Sequence, residues 1–239
     1  QACASLHDQE GRVTVPGFYD AVRPPEQWER EELAKLPITE EDYAKFLGVP
    51  EFFPPPGYSS LEGIRFCPTL EFNGVGGGYQ GEGSKTVIPA EAFAKITCRL
   101  VPDQKSEDIA NKVRQAIEEA CPPAVRVEVQ LKGGGDPYVV IPPGKPGSSG
   151  QESELMKKAF SVAEDCIESG FGTRPIFLRE GGSIPIIQDL KELAGLDSLM
   201  IGLFTNEDNL HAPDESFNLT IMDRAINSFE KFFKQLIRD

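Results

Sequence analysis

The chain has 239 residues, of which 39% are hydrophobic and 26% charged, and its formal net charge is −14. This composition suits a soluble globular protein long enough to bury a core. The acidic balance argues against a nucleic-acid surface, which needs a basic patch. No apolar run approaches the roughly 18 residues of a membrane span.

Cys3, Cys67, Cys98, Cys121 and Cys166 are widely spaced, odd in number and without a CxxC pair. A zinc knuckle and a disulfide framework are both disfavoured. The expectation is reduced, mostly buried thiols in a cytoplasmic protein. The opening QACASLHDQEGRVTV reads as the tail of a helix rather than a natural N-terminus, which suggests a segment of something longer.

In chain order, residues 12–22 predict a short extended stretch broken by Pro16 and Gly17. Pro24 and Pro25 then open a helix whose first turns are acidic, as the helix dipole favours. A second short helix is expected at 39–47, with Thr39 as N-cap and Asp42 three residues on. The triple proline in PEFFPPPGYSS makes 50–60 a loop. Residues 68–74 predict a strand. The glycine run that follows predicts a flexible or closely approached loop.

AFAKITCRLVP alternates cleanly, with Ala94, Ile96, Cys98 and Leu100 on one face, and predicts a half-buried strand. A helix is expected from Ser106, as N-cap, to Cys121, with Ile109, Val113 and Ile117 on one stripe. VRVEVQL at 125–131 predicts another strand. The order strand, loop, strand, helix, strand suggests a small α+β sandwich.

The Pro-, Gly- and Ser-rich stretch IPPGKPGSSGQ (141–151) predicts a linker or domain crossing. Beyond it come a helix at 152–168, the apolar strand 175–179, the turn EGGS, a helix at 184–194, a strand at 198–204 and a last helix at about 218–237. Strands alternating with helices imply a parallel α/β arrangement, with too few strands here to stand alone.

Loops after strands in open α/β sheets are where ligands usually bind. In REGGSIP (179–185), Gly181 and Gly182 permit close backbone approach and Ser183 can cap the next helix, whose first amides favour an anion. In TNEDNLHAPDE, His211 lies among carboxylates, as zinc ligands do. A single loop histidine more often satisfies a local hydrogen bond, and no HxxxH or HxH accompanies it. There is no GxSxG, and the glycine run lacks P-loop spacing. Acidic pairs such as Glu31-Glu32 and Glu118-Glu119 read as solvated helix faces.

Four motifs in order carry a resemblance: GRVTVPGFYDAV (11–22), GGGYQGEGSKTVIPAEAFAKITCRLVPDQ (76–104), LREGGSIPI (178–186) and NLHAPDE (209–215). Together they resemble the M20 family of di-zinc peptidases, near its carnosine dipeptidase and cytosolic non-specific dipeptidase branch. The resemblance implies a ferredoxin-like α+β lid, or dimerisation, domain over 1–140. It implies the C-terminal part of an α/β catalytic domain over 141–239.

It further implies a parent enzyme with two divalent metal ions, zinc with manganese as the alternative. Such an enzyme hydrolyses dipeptides or N-acyl amino acids that carry a free carboxylate. In the family a Glu deprotonates a metal-bridging water that attacks a polarised amide carbonyl. The family's His-x-Asp, bridging Asp and Glu-Glu motifs do not occur here, so the resemblance places no catalytic residue in this chain and implies that the chain alone is inactive.

Of the metal ligands only the last histidine matches, at His211. Arg99 falls where the family grips the substrate carboxylate, a role suited to a bidentate guanidinium. Thr86, Gly181, Gly182 and Ser183 fall at substrate-contacting positions. Lys132-Gly133-Gly134-Gly135-Asp136-Pro137 stands where some members carry a histidine, and no role follows for it. A homodimer through an exposed strand edge or helix face between about 93 and 131 is implied; nucleic-acid and membrane partners are not. The alternative is a dimerisation or interaction module without catalysis.

Overall fold

The computed structural model describes residues 1–148, 150, 152–180 and 184–237. A 3-10 turn at Cys3–Leu6 is followed by α1 (Gln27–Leu33), α2 (Glu40–Leu47), α3 (Ser60–Phe66), β1 (Thr69–Gly77), β2 (Ala92–Arg99), α4 (Ser106–Ala120), α5 (Glu154–Phe171), α6 (Pro185–Ala194) and α7 (Leu219–Leu236). A second 3-10 turn, Asn206–Asp208, precedes α7. This mixed helix and strand architecture is of the expected α/β and α+β class. None of the described helices is long and apolar enough to cross a membrane.

The chain forms two compact units. One comprises Gln1–Pro25, Pro37–Val139 and Arg179–Gln188; the other comprises Glu26–Leu36, Val140–Leu178 and Asp189–Asp239.

In the first unit β1 and β2 pair antiparallel, with Leu70 opposite Cys98 and Phe72 opposite Ile96. These residues join a core of buried Leu6, Val13, Val15, Phe18, Ile109 and Val113. Each such side chain contributes about 1.5–3 kcal/mol when fully buried. The half-burial expected of β2 holds for its C-terminal half, at Ile96 and Cys98, and not for its exposed first four residues. The ladder slips at Asn73, between Phe72 and Gly74. There Asn73 Oδ1 accepts a 2.6 Å hydrogen bond from Thr97 Oγ1.

Part of the glycine run therefore belongs to β1 rather than to a loop. Gly76 lies opposite Phe93, and a Cβ on it would come 2.6 Å from the Phe93 ring. Here glycine is needed for close approach rather than for a turn.

Gln104 ties the first unit together from within. It is 2% exposed. Its Nε2 donates to Phe18 O at 2.8 Å, and its Oε1 accepts from Val101 N at 2.9 Å. Both ends of the amide are satisfied, as burial of a polar group requires.

The helices α2 and α4 take their caps from different distances. Thr39 and Asp42 form the expected reciprocal capping box on α2. On α4, Ser106 is not the cap: the cap position is Lys105, whose side chain makes no capping bond to the helix. The Asp136 carboxylate instead accepts from Ser106 N at 2.8 Å and from Lys105 Nζ at 2.8 Å. Burial alone would raise the Asp136 pKa; the hydrogen bonds from Lys105 and Ser106 overcome it and hold it below the usual carboxylate value. A cap supplied from 30 residues away leaves no local spacing to read. The short helix α3 is not predicted by periodicity, but Ser59 and Glu62 do carry its capping box.

In the second unit α5 and α7 pack through small residues. Ala159, Ala163, Cys166, Ala225 and Ser228 are buried, with Phe160 beside them. Ser153 caps α5 and Asn218 caps α7 through its Oδ1. On α1, Glu29 accepts from Glu26 N at 2.8 Å, and Trp28 Nε1 donates to Pro146 O at 3.1 Å.

The alternating segment 125–131 and the apolar segments 175–179 and 198–204 form no ladder among the described residues, contrary to expectation. Alternation marks a face, but a strand exists only where a neighbouring segment takes up its N–H and C=O groups.

Candidate functional site

The loop NEDNLHAPDE is built on its own hydrogen bonds. At its base the rings of Phe204 and Phe217 meet edge to face, with centroids 5.2 Å apart. Just inside, Asp208 is 4% exposed. Its Oδ2 accepts from Thr205 N at 2.7 Å and from Thr205 Oγ1 at 3.2 Å. Ser216 N donates to Asp208 O at 2.9 Å and closes the loop. Ala212 N donates to Asn209 O at 2.9 Å, and His211 N donates to Glu215 Oε2 at 3.2 Å.

This closure bends the backbone sharply. Asn209, His211 and Asp214 have φ of 52°, 62° and 62°. That is the left-handed region, which asparagine, aspartate and histidine tolerate better than other non-glycine residues. His211 therefore sits exposed at the tip of a loop whose inner side is anchored by a buried carboxylate. The Thr205–Asp208 spacing is a readable capping signal, whereas the aromatic clasp becomes visible only in the fold.

Among the described residues no three His, Cys, Asp or Glu side chains converge as a metal cluster. His211 offers one imidazole donor where a structural zinc takes four ligands. The described donors of this chain do not by themselves make a metal centre.

Arg99 ends β2, opposite Thr69. It is exposed on the side of the ladder away from Ile96 and Cys98, together with Thr97 and Glu71. Its neighbour Cys98 is unsuited to nucleophilic work: burial, and secondarily the Glu71 charge, push its thiol up to about 11. Thr86 is exposed in the segment between the glycine run and β2. In that segment Tyr79 Oη donates to Glu82 O at 3.1 Å, and Lys85 Nζ lies 5.5 Å from the centre of the Tyr79 ring.

Gly181, Gly182 and Ser183 lie outside the described residues. The two residues before them are anchored. The Arg179 guanidinium lies 5.4 Å from the centre of the buried Phe66 ring, and Arg65 Nη2 lies 3.9 Å from Glu180 Oε2. These anchors, Arg65 and Phe66 on α3, are not signalled by the sequence pattern. Arg99 and Thr86 belong to the first unit and His211 to the second.

Similarity to known proteins extends over nearly the whole chain. The M20 peptidase dimerisation domain family matches residues 4–125. The human Beta-Ala-His dipeptidase is 25% identical over 235 residues, covering 97% of this chain and 44% of that protein. The Cys-Gly metallodipeptidase of Candida albicans is 26% identical over 220 residues, covering 91% of this chain and 43% of that protein. Among solved structures, an M20 family metallo-carboxypeptidase from Sulfolobus solfataricus superposes with a TM-score of 0.79 at 27% identity, over 98% of this chain and 51% of that one. The chain thus spans about half the length of the proteins it matches.

Proposed function

Because the chain belongs to the M20 peptidase dimerisation domain family, we propose that it is the lid, over 1–140, and the C-terminal catalytic segment, over 141–239, of a metal-dependent hydrolase. Its substrates are dipeptides or N-acyl amino acids with a free carboxylate. The observation that carries this reading is the extent of the likeness. It runs through 97% of the chain in a dipeptidase, well past the dimerisation-domain match, which ends at residue 125.

In this reading His211 supplies one ligand to a pair of divalent ions, zinc with manganese as the alternative, that polarise the scissile carbonyl and activate water. Arg99 holds the substrate carboxylate through a two-pronged hydrogen-bonded ion pair. Thr86, Gly181, Gly182 and Ser183 line the substrate. The parent protein is a cytoplasmic homodimer that pairs through an edge or helix face between 93 and 131. The chain of 239 residues alone has no turnover.

Metal analysis and hydrolysis of a dipeptide panel test this on both the full-length protein and the present chain. Stoichiometric metal and turnover are expected only in the full-length protein. Loss of neither metal nor activity in full-length His211→Asn sinks the ligand assignment. A full-length protein without metal or turnover leaves a dimerisation module instead.

A further inference from the structure

The second unit contains a cleft of about 730 Å³ between α1, α5 and the segments 142–145 and 174–177. Its floor is apolar: Phe160 and Phe177 stand with ring centroids 6.1 Å apart, flanked by prolines. Lys35, Lys145, Lys157 and Arg174 line it, against two acids, Glu32 and Glu164. Over the whole chain acids outnumber bases, 38 to 24. Along the lining of the cleft the order is reversed, with four cations to two acids.

The partners of these cations show where the excess lies. Arg174 is fully engaged, with Glu164 at 2.6 Å and Glu168 at 3.2 Å. Lys35 and Lys145 share one oxygen of the buried Glu32, at 2.7 and 3.9 Å, so one carboxylate faces two ammonium groups. The other Glu32 oxygen accepts from Phe177 N at 3.4 Å, which ties the cationic rim to the aromatic floor. Lys157 pairs at 2.7 Å with Glu154, a residue that does not line the cleft.

We propose that this cleft binds small amphipathic monocarboxylates, with an aryl or alkyl body on Phe160 and Phe177 and the carboxylate among Lys35, Lys145 and Lys157. Inorganic phosphate has no apolar body to set against Phe160 and Phe177, which favours the amphipathic carboxylate. The inference does not depend on the hydrolase reading.

Trp28 provides the readout. It is the only tryptophan of the chain, and Lys145 Nζ lies 5.4 Å from the centre of its ring. A ligand that draws Lys145 toward its carboxylate changes the surroundings of that ring. Titration of the 239-residue chain with 3-phenylpropionate is expected to change Trp28 fluorescence saturably, with a Kd on the order of millimolar. The neutral 3-phenylpropanol and inorganic phosphate are each expected to bind at least about tenfold more weakly, because each lacks one half of the match.

The double substitution Lys35→Glu with Lys157→Glu should weaken 3-phenylpropionate at least about tenfold, while circular dichroism stays that of the parent chain. Raising NaCl from about 50 to about 500 mM should weaken the parent chain's binding, a test that stands even if the double variant fails to fold. No saturable change, equal binding of the alcohol, tighter phosphate, or affinity indifferent to salt each overturns the proposal.

Discussion

Gly170 on α5 lies directly against Ser228 on α7: a Cβ on Gly170 would fall inside the van der Waals shell of Ser228 Oγ and 3.4 Å from Arg224 O. The Ser228 hydroxyl is held there, donating to Arg224 O at 2.9 Å. In an isolated helix, Gly→Ala stabilises by about 1 kcal/mol. Here the contact reverses the sign, and Gly170→Ala should destabilise by about 1–3 kcal/mol. Adding Ser228→Ala should recover part of that loss, since the serine oxygen is the obstruction. Urea denaturation of the four members of this cycle measures the coupling; strictly additive effects refute the close contact.

Gln104→Ala removes both hydrogen bonds of a buried amide and strands Phe18 O and Val101 N. The expected loss is about 2–3 kcal/mol, from the two unpaired backbone groups and the cavity. Chemical denaturation checks it, and a loss within measurement error would mean that water replaces the amide at little cost.

Asp136 predicts an acid dependence. Its folded-state pKa is lowered by the Lys105 and Ser106 hydrogen bonds, so its charge stabilises the fold above the unfolded value of about 3.9. That contribution is lost as pH falls through the lower folded value. Asp136→Asn keeps an acceptor for Ser106 N but no charge. The stability difference between parent and variant should be present at neutral pH and shrink progressively in acid. Denaturation curves on both sides of the carboxylate range test this; a difference that does not change with pH removes the charge from the account.

Arg99→Ala in the full-length protein should lower kcat/KM for substrates with a free carboxylate by about 10–100-fold, the size of a charge-assisted pair. C-terminally amidated substrates should be hydrolysed equally by parent and variant. Stability should hardly change, because Arg99 is exposed at the end of its strand. Unchanged kinetics with the free acids would remove the anchor role.

What the sequence discloses follows the range of the interactions involved. The helices α2, α5 and α7 have neighbouring caps and α4 has the stripe of Ile109, Val113 and Ile117, so their existence is legible residue by residue. Thr39 with Asp42 is legible for the same reason. Asp136 on α4 is not, because its bond spans the chain between helix and distant loop. The same contrast divides the candidate site. His211 and Arg99 stand out through ordered motifs. The clasp of Phe204 on Phe217, the anchoring of Arg179 on Phe66, and the cationic lining around Glu32 depend on contacts that no local pattern encodes. Residues 125–131, 175–179 and 198–204 show the reverse error: alternation in the first and apolar runs in the other two are local, while the ladder they imply is not.

The left-handed residues Asn209, His211 and Asp214 have a thermodynamic consequence for whatever the imidazole meets. Ordering a flexible loop around a ligand costs roughly 1–2 kcal/mol per residue fixed. In this loop the buried Asp208 carboxylate and the aromatic clasp bear that cost during folding. The backbone that carries the imidazole is set before any partner arrives, so affinity at His211 should be governed by bonding enthalpy rather than by loop entropy. Loosening the mount with Asp208→Ala should therefore weaken capture at His211 without touching the histidine.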